Sequence, residues 1–360
     1  MKLSQFLLPV FLLIGLTMSI YCEDIEHETS VGVEFAYYFD DNAGYGQSGG
    51  FVAPNYSPVE TPFSFEPEDD DYADIEPRTL GSGWGAVELQ AFLKHRIRVP
   101  FLQGDGALVA DNNVRFNFDL YAAPVAAYVK ASATITPIAF LNFDFGGMLG
   151  TGWNATIFNG AGNNINGYLE ENSFPGVVTE LFSSVTFQFD LAAIIPGEWN
   201  HVVTMINAKF LYSYFSTEQA KEGIPWQWLA DSGENLNGME FEGSYFIGYQ
   251  MPLVLDTVGF LLETSQLMGS NNQLSTMAGA DGSISTVEDN GWGSDFLQVT
   301  FGPLANFSFD EHNSLAVLLQ FQTDKDYTNE TIFNQYYQNR VYEDSYVKFH
   351  RIALAYNYKF

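Results

Sequence analysis

The sequence predicts an all-β protein, an antiparallel up-and-down transmembrane β-barrel of about 12 strands. Three observations carry this expectation. Apolar and polar residues alternate with period 2 in segment after segment, which is the pattern of strands whose two faces meet different surroundings. Long and short connections alternate between those segments. After the N-terminal stretch, no segment reaches the roughly 18 consecutive apolar residues of a spanning helix.

Taken in chain order, MKLSQFLLPVFLLIGLTMSIYCED reads as a secretory signal peptide over residues 1–22, with one Lys, an apolar run from Phe6 to Leu16 and small residues before an acidic start. Cys22 is the only cysteine, so no disulfide framework is expected. Residues 23–360 read as a single barrel domain with a long acidic first loop at about 40–83. Strands are expected near 31–39, 84–99, 113–122, 125–135, 138–149, 183–193, 200–215, 242–251, 253–267, 294–309, 313–323 and 347–360. Within them Val114, Phe116, Phe118 and Leu120 oppose Arg115, Asn117 and Asp119. Val185, Phe187 and Phe189 oppose Thr186, Gln188 and Asp190, and Leu315, Val317, Leu319 and Phe321 oppose Ser314, Ala316, Gln320 and Gln322.

Alternation alone does not say which face meets water. A soluble sandwich buries its apolar face, and a membrane barrel turns that face to lipid. The even strand count, the two-ended pattern of connections and the aromatic residues near strand ends (Trp84, Trp199, Tyr212, Tyr214, Tyr358) favour lipid outside.

The chain closes on RIALAYNYKF, where Ile352, Leu354, Tyr356, Tyr358 and Phe360 share one face. This stretch resembles the C-terminal assembly signal of bacterial outer-membrane β-barrel proteins, matching it at Tyr358 and Phe360, with Ala355 and Ala353 where that signal carries Gly and a polar residue. The resemblance implies integral residence in the bacterial outer membrane, recognition of the last strand by barrel-assembly machinery, and long connections facing outward from the cell.

With lipid on the apolar face, the other face lines a lumen. Lys94, Arg96, Arg98, Arg115 and Lys130 fall in lumen phase on three neighbouring strands and would form one basic wall suited to carboxylate or phosphate groups. The competing expectation is that lumen-phase Glu88, Asp119, Asp144 and Asp190 neutralise the wall as structural ion pairs. The loop after Gly150 could fold inward, bringing Glu170 and Glu171 against the wall as a constriction. The run EPEDDDYADIEP reads as a solvated outer loop, since the calcium-loop ligand spacing is absent.

A formal net charge of -30 from 44 Asp plus Glu against 14 Lys plus Arg excludes nucleic acid as a partner. No cofactor or metal site is expected. His312 and Ser314 are the one His and Ser pair with phospholipase-like spacing, and they sit at an expected tight turn, so no enzymatic activity is expected. The functional expectation is passive diffusion of small hydrophilic, including anionic, solutes. A closed barrel scaffold with adhesive surface loops is the alternative.

Overall fold

The computed structural model describes residues 25–39, 86–153, 160–165, 168–169, 174–222, 226–229, 235–268, 276–278, 284–286, 296–327 and 342–360. The signal-peptide stretch 1–22, the acidic connection 40–83 and both Glu170 and Glu171 lie outside these residues.

Twelve antiparallel strands form a closed barrel. They are β1 Glu26–Tyr38, β2 Ala86–Pro100, β3 Asn113–Ala123, β4 Ala126–Ile138, β5 Leu141–Gly152 and β6 Val177–Asp190. The second half comprises β7 His201–Phe215, β8 Gly238–Gln250, β9 Leu255–Met268, β10 Gln298–Ser308, β11 Asn313–Tyr327 and β12 Tyr342–Lys359. Each strand pairs with its sequence neighbours, and β12 pairs with β1 to close the cylinder, with Val31 opposite Tyr358 and Phe35 opposite Leu354. The backbone N–H of Phe360 extends this seam by donating to the Thr29 carbonyl at 3.0 Å. Closure satisfies the backbone groups that an edge strand would leave open. The terminal strand is therefore structurally required, independently of any recognition signal it carries.

All twelve expected strands are present, with shifted ends. The largest shift is at β6, which begins at Val177 rather than near residue 183, and β1 begins at Glu26 rather than near residue 31. At its upper end β12 carries a bulge. Gln320 opposes Arg351 and Phe321 opposes Phe349, so His350 is the extra residue.

Alternation sorts the two faces as the sequence suggests. Val33, Leu93, Phe118, Leu120, Val129, Phe145, Leu181, Ile206, Phe210 and Ile247 are exposed on the outer surface, whereas the inner face carries most of the charge. This is the reverse of a soluble sandwich, whose large apolar side chains pack between sheets. The connections 101–112, 139–140, 191–200, 251–254 and 309–312 lie at one end, with Glu26 and Phe360. The strand ends that the long connections join lie at the other end, with the two-residue turn 124–125.

Candidate functional site

Because register partners on neighbouring strands share a face, the inner wall is read directly from the pairing. One row runs through ten strands: Glu26, Arg98, Arg115, Thr134, Asp144, Ser184, Lys209, Glu242, Ser265 and Gln298 are successive partners from β1 to β10. Every member is polar. Arg98 meets Glu26 at 3.1 Å, Thr134 donates to Asp144, Ser184 donates to Asp144 at 3.2 Å and Lys209 meets Glu242 at 2.5 Å.

The five residues of the expected basic wall lie on the adjacent strands β2, β3 and β4, all in inward phase. Their partners come chiefly from β1. Lys94 lies 3.7 Å from Glu34, Arg96 lies 3.5 Å from Glu28, and Arg98 also lies 3.9 Å from Asp111 of the following connection. Glu28 is shared with Lys359 at 2.6 Å. The Lys94 ammonium additionally sits 4.0 Å from the centre of the Phe92 ring.

Arg115 and Lys130 differ from these three, since among the described residues neither has a carboxylate oxygen within 4.0 Å. Lys130 instead shares the Phe182 ring with Lys209, at 5.4 Å and 5.3 Å from its centre. Asp119 lies between Lys94 and Lys130 in register, without an ion pair to either. The acidic residues the sequence offered as neutralisers are engaged elsewhere. Asp144 accepts from Thr134 and Ser184, Asp190 meets His201 at 2.7 Å, and Glu88 accepts from Tyr38 at 2.7 Å.

That last contact belongs to a polar chain crossing β9, β11, β12, β1 and β2. Gln320 donates to Glu263 at 2.8 Å, Arg351 donates to Gln320 and, at 2.8 Å, to the Tyr38 hydroxyl, which in turn reaches Glu88. Gln320 is 1% exposed and Tyr38 8%. A buried amide and phenol are tolerated here because their polar atoms are paired. The inward side chains differ in exposure: Arg96 is 49% exposed, Arg98 35%, Lys94 22% and Lys348, near the long-connection end, 12%.

A dry cluster stands at the long-connection end of β4 to β7. Residues 161–165 and 226–228, from two different connections, pair as strands, with Trp226 opposite Asn163 and Trp228 opposite Ala161. They pack on Ala126, Met148, Val178 and Phe215 of the inner wall to form the one large apolar cluster among the described residues. Trp226 lies 5.5 Å from Phe215 between ring centres, and Trp228 meets Tyr128 edge-on at 5.8 Å.

The wall is cut to fit this pair of segments. A Cβ on Gly150 would lie 2.9 Å from the Trp228 ring, and one on Gly160 would lie 1.9 Å from the Val125 carbonyl oxygen of the two-residue turn. Thr217 ties the two connections together. Its hydroxyl donates to Asn163 at 2.9 Å and accepts from the Ala220 N–H at 3.2 Å, capping the short helix Glu218–Lys221. Inward folding thus involves the connection the sequence pointed to, in its 160–165 part, together with a second one that the sequence reading passed over.

His312 and Ser314 flank the end of the 309–312 turn, where the His312 Nδ1 engages the Lys359 carbonyl at 2.8 Å. No group of three or more potential metal ligands occurs among the described residues.

No family model matches the chain, and no curated protein matches it. Among solved structures it is similar to the KdgM porin, at 6% identity over 92% of this chain and 99% of that chain with a TM-score of 0.34. It is also similar to the NanC porin, at 6% identity over 91% and 98% with a TM-score of 0.34. An outer membrane channel from Pseudomonas putida F1 shares 8% identity over 92% and 96% with a TM-score of 0.37. The structural neighbours are thus outer-membrane porins and β-barrels.

Proposed function

We propose that this chain resides in a bacterial outer membrane and forms a passive diffusion channel for small hydrophilic solutes, without enzymatic activity. The observation that carries the reading is the closed cylinder with an apolar exterior and a charged, water-accessible interior, as at Arg96, Glu28 and Lys359. A spanning barrel needs the first property and an aqueous pathway needs the second. Export by the N-terminal segment and assembly through the strand ending in Tyr358 and Phe360 belong to the same proposal.

Selectivity follows from how the inner charges are paired. An ion-paired guanidinium offers a passing anion little net field, so the preference for anions rests on Arg115 and Lys130 rather than on the whole basic wall. Glu263 on β9, whose carboxylate accepts from the neutral Gln320 amide, stands five or six strands round the cylinder from that wall and opposes it in sign. A weak anion preference with free passage of neutral solutes is the expected behaviour.

The dry cluster of Trp226, Trp228 and Phe215 favours one competing reading, a closed scaffold whose loops bind surfaces. Swelling of vesicles containing the folded protein in isosmotic solutions of neutral sugars of graded size separates the two. Uptake that falls with solute size supports the channel, and no uptake of the smallest sugar rejects it.

A further inference from the structure

We infer that the short connections of the barrel are seated in the phospholipid interface of the periplasmic leaflet rather than in the aqueous periplasm. The inference rests on the membrane reading above and adds to it a depth and a chemical basis for anchoring.

Turns between strands are ordinarily polar, because they leave backbone groups to water. Here they carry large apolar side chains that nothing covers. Leu102 of 101–112, Ile194 and Trp199 of 191–200, Leu253 of 251–254, Phe309 of 309–312 and the terminal Phe360 are each more than half exposed. These positions are spread around the circumference and continue the apolar outer surface of the strands. A ring of this kind matches a planar medium meeting the barrel on all sides, whereas a docked protein would call for a patch on one side.

The strand faces support the same depth. On β10 the outward residues Val299, Phe301, Pro303, Ala305 and Phe307 continue in the same phase to the exposed Phe309, which stacks on Phe307, so the apolar outer surface runs into the turn.

The occupant is a zwitterionic lipid surface held by apolar insertion. None of the residues of 101–112, 139–140, 191–200, 251–254 and 309–312 is Lys or Arg, and Asp105, Asp111, Glu198, Asp310 and Glu311 are acidic. Electrostatic attraction to anionic headgroups is therefore not the source of the contact.

The test uses single-cysteine variants Leu102→Cys, Ile194→Cys and Leu253→Cys in a Cys22→Ser background, spin-labelled and reconstituted in phosphatidylcholine vesicles. Relaxation by oxygen is compared with relaxation by a water-soluble nickel chelate. Asp105→Cys is the aqueous reference in the same turn as Leu102, and Leu319→Cys is the reference on the outer strand face. The expected result is an oxygen-to-nickel ratio at all three sites several-fold above that of Asp105→Cys, unchanged when phosphatidylglycerol is added. Ratios equal to that of Asp105→Cys, with Leu319→Cys still shielded from nickel, would overturn the inference while sparing the membrane reading, and would turn attention to a periplasmic protein as the partner of the ring. Nickel access at Leu319→Cys as well would reject the membrane reading itself and this inference with it.

Discussion

The inner wall handles two sectors of one cylinder in opposite ways. On β12, β1 and β2 the inward residues include Lys359, Glu26, Glu28, Glu34, Lys94, Arg96 and Arg98, which pair across strands while staying in contact with water, as Arg96 with Glu28 and Lys359 with Glu28 do. On β4 to β7 at the long-connection end, the inward wall carries Ala126, Met148, Val178 and Phe215, and two connections fold in to bury Ala126, Val178, Phe215 and Trp226 almost completely. Exposed ion pairs are individually worth about 0–1 kcal/mol. A fully buried aromatic side chain contributes several times that. On the proposed channel reading, the charged sector would set which solutes pass, and the dry sector would set how wide the opening is and how firmly the inward segments are held.

The largest effects are expected where the dry sector is broken. Trp226→Ala removes a side chain that is 2% exposed and packed on Phe215. We expect a loss of about 3–5 kcal/mol in the stability of that sector, read as a lower unfolding midpoint, together with a larger single-channel conductance. Gly160→Ala attacks the same sector by overfilling it, since the new Cβ would meet the Val125 carbonyl oxygen. About 1–3 kcal/mol of destabilisation is expected, with conductance rising in the same direction.

Smaller effects, on selectivity more than on stability, are expected in the charged sector. Replacing both members of an ion pair, Arg98→Gln with Glu26→Gln, leaves the lumen charge unchanged and should leave the reversal potential under a salt gradient nearly where it was. Arg115→Gln or Lys130→Gln removes a charge that has no carboxylate oxygen within 4.0 Å among the described residues and should move that potential toward cations. If the paired double variant shifted selectivity as much as either of these, the division between paired and unpaired members of the wall would be wrong.

The smallest effect belongs to neither sector but to the 309–312 turn. The Asp310 carboxylate is held below the ordinary Asp value of 3.8 by the Asn313 side-chain amide and by the backbone N–H groups of His312 and Asn313. A depressed folded-state value means that its stabilisation is present above the unfolded value and is lost as pH falls through the folded one. Asp310 is fully exposed, so the expected signature is a slight fall in unfolding temperature on acidification below about pH 4. Asp310→Asn should flatten that part of the profile.

The two sectors were unequally legible in the sequence. The strands and the inward phase of Lys94, Arg96, Arg98, Arg115 and Lys130 follow from period-2 alternation, because a side chain's face is fixed by its place in the pleat. The partners of those bases did not follow. Glu26 and Glu28 lie on β1 where His27 and Thr29 occupy the outward positions, so the hydropathy alternation is silent there and the strand was expected to start several residues later.

The dry sector was less legible still. Its segments 160–165 and 226–228 belong to connections far apart in the chain, and no local pattern reports a pairing made between loops. The signal that existed was on the wall. Ala126, Gly150 and Gly152 are small at inward positions of neighbouring strands, and the WQW of 226–228 supplies two large side chains to fill the space they leave.

The central claim is that the charged sector lines an open aqueous path past the dry one. Single-channel recording of the folded protein in a planar bilayer, with insertion verified independently, tests it most directly. Discrete conductance steps that grow in Trp226→Ala, with a weak anion preference that Arg115→Gln lowers, are the predicted result. Verified insertion without current in both the unmodified protein and Trp226→Ala would contradict it.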